Sequence, residues 1–181
     1  MEWLNEFEAW KKHGTKILGI TGLAQPASDG ELALCHTPGY IQGICTGSID
    51  PKAMREIGFP WSLAMAERAR RSVGASVAAA RASLGIASGL PDARAQAKPQ
   101  ASPQRKPQGI AANLAGGTHH SYAYKGGGFC VFDDFAVTAR LVQAEWARQH
   151  RAPLQVAIID LDVHQGDGTA SIFKNDASVF T

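Results

Sequence analysis

Cysteine is sparse, long apolar runs are missing and net charge is close to zero. The 181 residues contain three cysteines, Cys35, Cys45 and Cys130, with no Cys-x-x-Cys pair. An odd, scattered count argues against a disulfide framework and fits a reducing compartment, so the expectation is a soluble, cytoplasmic protein. No stretch approaches the roughly 20 consecutive apolar residues of a membrane span. The opening "MEWLNEFEAWKKHG" is charged and carries Trp, unlike the apolar run of a signal peptide. A formal charge of +2 gives no global reason to expect nucleic acid or an acidic membrane surface as a partner. No phosphate-binding glycine loop is present, and no Ser/His or Cys/His nucleophile spacing stands out.

What is present reads as one globular domain. The apolar fraction is 45% and the charged fraction 19%, and the length allows a real core. The positive charge is local. Residues 86–109 hold Arg94, Lys98, Arg105 and Lys106 against Asp92 alone. From Gly89 to Gln108 this Pro/Gln/Ala-rich segment has one large apolar residue, Leu90. It cannot bury enough surface to offset the entropy of ordering, so it reads as a flexible insertion. It is either a solvated loop or a contact for an acidic partner.

Periodicity supplies the elements. Trp3, Leu4, Phe7 and Trp10 predict an amphipathic helix over Glu2–Lys12. Asp29–Ile44 predicts two short helices broken at "TPG", with Pro38 near the start of the second. "IGFPWS" reads as a loop. Ser62 can cap a long helix from Leu63 to about Leu84, whose many alanines allow close packing against a sheet. "GIAANLAGG" reads as a short buried strand entering a Gly turn. "DDFAVTARLVQAEWARQHRA" reads as a helix, and "LQVAIIDLDV" as a strand covered on both faces. "TASIF" starts another helix and "SVFT" another strand. Strand, helix, strand in this order predicts an α/β fold with βαβ crossovers. Ligands in such sheets bind beyond the carboxyl ends of the strands, where "GGTHH" and "DLDVH" both fall.

Asp160, Asp162 and His164 follow one another at i, i+2 and i+4, so on an extended chain they begin on one side. Carboxylate and imidazole together suit a catalytic zinc, which takes three protein ligands and leaves a position for water. The plainer alternative is polar residues that end a strand and cap the next helix. His119 and His120 are either an acid/base pair or a surface pair. Asp160 and Asp167 are spare carboxylates that can each bond one imidazole Nδ1–H, fixing its tautomer and raising its basicity. "GGGFC" lets backbone approach a ligand at Gly128 and offers Phe129 as an apolar wall; otherwise Phe129 belongs to the core. Cys130, followed by Val131 and Phe132, reads as buried.

The stretches "GGTHHSYAYKGGGFCVFDD" and "VAIIDLDVHQGDGTASIF" resemble the zinc-dependent histone deacetylase family. The likeness is greatest to bacterial members and to the smallest, class IV-like eukaryotic class, and "CHTPGYI" and "IGFPWS" share it. It runs over about 26–84 and 109–181. The resemblance implies the arginase/deacetylase fold, a three-layer α/β/α sandwich with a mainly parallel sheet. It implies Asp162 and His164 as two of three zinc ligands, and His119 and His120 as the catalytic pair. In that pair His120 is base and later acid, and His119 acts electrostatically. Asp160 and Asp167 would be the buried partners of the histidines. Asp160, Asp162 and His164 would also contribute to a structural potassium site, and Gly128 and Phe129 to the tunnel for an acylated lysine. The implied reaction is hydrolysis of an acetyl amide, with acetylated lysine in a protein as substrate or, alternatively, a small acetylated amine such as an acetylpolyamine.

The pattern departs from the family in four places. In the family a third zinc ligand, an Asp, and a Tyr that bonds the oxyanion come later in the sequence than these 181 residues reach. The usual opening strand is replaced by "MEWLNEFEAW". "FDD" stands where relatives read "FND", so Asp133 replaces an amide. Residues 86–109 look like an insertion. The expectation is therefore residues 1–181 as a partial deacetylase domain from the N-terminal part of the fold, impaired or inactive alone. The alternative is a non-catalytic truncated homologue.

Overall fold

The computed structural model describes residues 25–86 and 109–181. The helix expected over Glu2–Lys12 and nearly all of the Pro/Gln-rich segment lie outside the described residues.

Six helices and one strand pair are formed among them. They run α1 (Asp29–Leu32), α2 (Pro38–Thr46), α3 (Pro51–Ile57), α4 (Leu63–Leu84), α5 (Asp134–His150), β1 (Val156–Ala157), α6 (Asp167–Phe173) and β2 (Val179–Phe180). Local chemistry explains most boundaries. Ser28 and Glu31 form a reciprocal capping box on α1. Ser62 Oγ accepts the Met65 N–H at 3.0 Å to start α4. Asp133 Oδ1 accepts the Ala136 N–H at 2.8 Å to start α5. Helix α3 was not read from the sequence, although Asp50 as cap, Pro51 at the first helical position and Gly58 after the end are its signals.

Helices α4 and α5 pack along one another and carry the main core. The small residues of α4 meet α5 and the 25–27 segment, whose Ala27 N–H bonds the Arg70 carbonyl at 2.9 Å. The chief partner of α4 among the described residues is thus a helix, where the sequence predicts a sheet. Arg81 of α4 grips Glu145 of α5 with two hydrogen bonds of 2.9 and 2.5 Å, so the one nearly buried glutamate of α5 is paired. Phe132 is 1% exposed and lies against the His36 and Tyr40 rings at centroid distances of 5.3 and 5.8 Å.

The strands expected over 109–117 and 154–163 are both corrected by the structure. β1 is two residues long and pairs in parallel with β2, Val156 opposite Val179. Its ladder is closed by Val156 N–H to Ser178 O at 3.0 Å and Ile158 N–H to Phe180 O at 2.8 Å. Beyond it the chain leaves the ladder, and Ile159, Leu161 and Val163 are 78%, 91% and 92% exposed rather than buried. Residues 110–114 are irregular, with Ile110 and Leu114 open to solvent. A strand exists only where a partner offers its peptide groups, and among the described residues β1 has one neighbour over two positions. The parallel unit that does form is β1–α6–β2, an α/β crossover. No helix among the described residues is long and apolar enough to cross a membrane.

Candidate active site

The turn bearing His119 and His120 meets the segment after β1 and the start of α6, which brings the two histidines to two carboxylates. His119 Nδ1 bonds Asp160 Oδ2 at 2.5 Å, and His120 Nδ1 bonds Asp167 Oδ1 at 2.7 Å. Hydrogen bonds hold both carboxyls below their usual range. His119 is the main cause at Asp160. At Asp167 burial works the other way, but His120 and Tyr122 together outweigh it. An ionised carboxylate only accepts, so each Nδ1 carries a proton, and in the neutral ring Nε2 is left as the acceptor. The Tyr122 hydroxyl donates to the second Asp167 oxygen at 2.9 Å. The two imidazoles lie 4.3 Å apart between centroids, and the His164 ring stands 6.0 Å from His120.

Asp160 and Asp167 remain partly open, with side chains 28% and 47% exposed, where the resemblance had implied buried partners. His119 itself is buried, at 5%. Its carbonyl accepts the N–H groups of Gly168 and Thr169 at 3.0 and 3.2 Å, which docks the first turn of α6 onto the histidine segment. At Gly168 a side chain would collide with the carbonyls of His119 and Ser121, so only glycine allows that approach.

Asp160, Asp162 and His164 are not spaced by a strand. Asp160 Oδ1 takes the Asp162 N–H at 3.0 Å and Asp162 Oδ1 takes the His164 N–H at 2.8 Å. These are successive Asx turns. They send Asp160 toward His119 and leave Asp162 and His164 facing each other, Oδ1 to Nδ1 at 2.9 Å. The His164 N–H bonds, backbone first and then ring, keep the Asp162 carboxyl below its usual range. Two ligands of a tetrahedral zinc stand about 3.3 Å apart at bond lengths near 2 Å. The pair therefore fits as two neighbouring donors, once the ring proton between them is lost. Among the described residues no group of three His, Cys, Asp or Glu side chains is placed to hold a metal.

The "GGGFC" segment is a tight hairpin. Cys130 N–H bonds Gly127 O at 2.7 Å and Gly127 N–H bonds Cys130 O at 3.1 Å, while Gly128 and Phe129 both have positive φ, 51° and 64°. That is the pattern of a type I′ turn. It is unfavourable for Phe, and three contacts hold it there. The Phe129 and Gly128 N–H groups bond the last carbonyls of α3, Ile57 O at 2.7 Å and Glu56 O at 3.3 Å, and Phe59 packs edge-on at 5.2 Å. Phe129 is 64% exposed and so is not a core residue. An open groove beside it is lined by Glu56, His120, Tyr122, Lys125, Gly128 and Asp167. A separate apolar hollow under Phe59 and Trp61 has Arg55 as its one titratable group. Cys130 is buried, and burial raises its thiol pKa.

Two buried groups under the site were missed at the sequence level, His36 and Asp134. His36 Nδ1 donates to Tyr122 O at 3.0 Å and Nε2 accepts the Asp133 N–H at 3.0 Å, an arrangement that only neutral imidazole satisfies. Burial lowers its pKa to about 4, against the pull of the Tyr122 and Ala123 carbonyls. Burial also pushes Asp133 up to about 7, although Thr169 and the Ala136 N–H bond it. The side chain at this position takes its hydrogen bond as a carboxyl: the Thr169 hydroxyl donates to Asp133 Oδ2 at 2.6 Å.

These two shifts oppose each other in stability. Asp133 favours the folded state most below its ordinary pKa of 3.8, and that contribution is lost as pH rises through about 7. His36 contributes fully above 6.5, and its contribution is lost as pH falls through about 4. Asp133→Asn removes the first slope alone. Urea unfolding should show the variant gaining stability relative to wild type from about pH 4 to about pH 7. A difference independent of pH would contradict an ionisable Asp133.

Helices beside a small parallel strand pair, with two His–Asp couples gathered beyond β1, make this an α/β protein, and its likeness to solved HDAC homologs gives it the arginase/deacetylase fold. Residues 2–181 match the histone deacetylase domain, and the chain belongs to the histone deacetylase family. It is 38% identical over 150 residues to an uncharacterized protein of Picosynechococcus sp., covering 83% of this chain and 41% of that one. It is 32% identical over 163 residues to the acetoin utilization protein AcuC of Bacillus subtilis, covering 86% of this chain and 35% of AcuC. The crystal structure of an HDAC homolog from Aquifex aeolicus superimposes with a TM-score of 0.60 at 26% identity, over 87% of this chain and 37% of that one. The chain thus spans 35–41% of the length of these curated relatives.

Proposed function

We propose that this chain carries the histidine half of a zinc-dependent deacetylase site that hydrolyses the acetyl amide of acetyl-lysine, in the cytoplasm. The observation that carries the reading is the pair of short His–Asp couples, His119–Asp160 and His120–Asp167, at adjoining positions. Asp162 and His164 would hold the zinc, which when bound supplies Lewis acidity toward the amide carbonyl. Two protein donors are fewer than the three of a catalytic zinc, so the site needs another ligand and the described residues alone should bind zinc weakly.

The proton work falls to His120. With Nδ1 tied to Asp167, its Nε2 is the free base, able to take a proton from the attacking water and return it to the leaving amine. Asp167 stabilises the imidazolium that forms in between. His119, buried and tied to Asp160, stays fixed beside it as an electrostatic partner. Gly128 and Phe129 would form one wall for the acyl-lysine stem, with Phe129 held rigid by α3. An acetylated small amine is the competing substrate class, because the groove is open at Glu56 and Lys125.

The test is hydrolysis of an acetyl-lysine peptide and of an acetylpolyamine by the intact gene product, before and after chelation. Activity should vanish with chelator and return with zinc, with the larger kcat/KM on the peptide. Activity untouched by chelator would remove the metal from the proposal, and a preference for the polyamine would reassign the substrate.

A further inference from the structure

Two buried carboxyl side chains at the start of α5 have no part in the chemistry proposed above. Asp134 is 1% exposed, and both its oxygens are occupied. Oδ1 accepts the N–H groups of Gly117 and Thr118 at 3.1 and 2.8 Å and the Thr118 hydroxyl at 2.6 Å. Oδ2 accepts the Ser76 hydroxyl from α4. Thr118 Oγ1 in turn accepts the Asp134 N–H at 3.1 Å. Asp134 stands in the first turn of α5 yet gives its own helix no side-chain bond, since Asp133 is the cap. Its hydrogen bonds all go to the turn that delivers His119, and to α4.

Asp133, 0% exposed, reaches the other way. Its Oδ2 holds the Thr169 hydroxyl, and the Thr169 N–H holds the His119 carbonyl. Thr169 lies two residues after Asp167, the partner of His120. One helix start therefore grips both chain segments whose meeting makes the His120–Asp167 couple.

We propose that the Asp133–Asp134 pair is a positioning element for the histidine site, setting how the turn bearing His119 and His120 meets the helix start bearing Asp167. The functional meaning rests on the reading of His119 and His120 as the catalytic pair; the alignment itself can be tested without activity. The chemistry suits the task. A buried carboxylate that accepts four donors is costly to move, because every donor would be left unpaired. Small misplacements of a catalytic group are amplified, about 100-fold in rate for 1 Å.

The experiment follows the ring Nδ1–H protons of His119 and His120 by NMR in the full chain, beside a thermal melt. Thr118→Val removes one hydroxyl of the Asp134 network, and Thr169→Val removes the hydroxyl held by Asp133. Thr118→Ser and Thr169→Ser restore them. In each Val variant the ring protons should exchange with solvent roughly tenfold faster, the loss of about one hydrogen bond, and each Ser variant should return them to wild-type rates. Asp134→Asn should show the larger change; if it does not fold, the two Val variants decide. A lowered melting temperature with ring protons unchanged in both Val variants would mean a purely structural pair and overturn the proposal. Faster ring exchange in a protein that hydrolyses no acetyl amide would uphold the positioning and remove the catalytic reading alone.

Discussion

Alanine at His120 is expected to lower kcat on an acetyl-lysine peptide by about 10²–10⁴-fold in the intact, zinc-loaded gene product, the range for removing a positioned general base. KM should change little, because the imidazole works on the proton rather than on the substrate's stem. The reason lies in how the ring is held. Nδ1 is committed to Asp167 at 2.7 Å, and Asp167 is itself shared with Tyr122 at 2.9 Å. That leaves one nitrogen for chemistry and a carboxylate to stabilise the charged ring. Asp167→Asn should then fall between wild type and His120→Ala, since an amide can present a donor to Nδ1 and favour the wrong tautomer. His119→Ala should cost less than His120→Ala, because the proposed role of His119 is electrostatic. Steady-state kinetics of the three variants checks the order. If His119→Ala proved the more damaging, the two roles would have to be exchanged.

Truncating Phe132 to alanine should destabilise the protein by about 3–5 kcal/mol, the range for deleting a buried aromatic side chain. A domain of this kind has about 5–15 kcal/mol in total, so the variant would stand near the edge of folding. Phe132 is 1% exposed and makes its ring contacts with His36 and Tyr40, both of which also bond backbone around it. Tyr40 donates to Val131 O at 2.6 Å, and His36 accepts the Asp133 N–H at 3.0 Å. A cavity at Phe132 therefore loosens the segment that leads into the Asp133–Asp134 pair as well as the core. Denaturant unfolding measures the loss, with Phe132→Leu as the milder control. A cost below about 1 kcal/mol would show that the His36 and Tyr40 contacts do not hold this ring in the core.

Several elements could be read from the sequence because their causes lie within a few residues. The helix from Ser62 to Leu84 begins with a side chain bonding an amide three residues on, and its bonds close within each turn. The break at "TPG", the start of α5 at Asp133 and the short α6 are of the same kind. Helix α3 was equally local and was overlooked, with Asp50, Pro51 and Gly58 in plain view. The two strands failed for a different reason. The 154–163 stretch is apolar enough for a buried strand, but a ladder needs peptide groups from elsewhere in the chain, and among the described residues only Val156–Ala157 is paired as a strand.

The site divides along the same line. The sequence alone determined which chemistry was available: two adjacent imidazoles, three carboxylates at 160, 162 and 167, and a glycine-rich hairpin with an aromatic tip. Tertiary structure alone decided which carboxylate serves which ring, that Asx turns rather than strand pleat aim Asp160 and Asp162, and that Phe129 sits strained against α3. It also decided that His36, Asp133 and Asp134 sit buried beneath the site. Residue type sets what a group can donate or accept; its partner is set by contacts 16 to 97 positions apart in the chain, as between Thr118 and Asp134 or His36 and Asp133. Packing closes those contacts, and no local propensity encodes them.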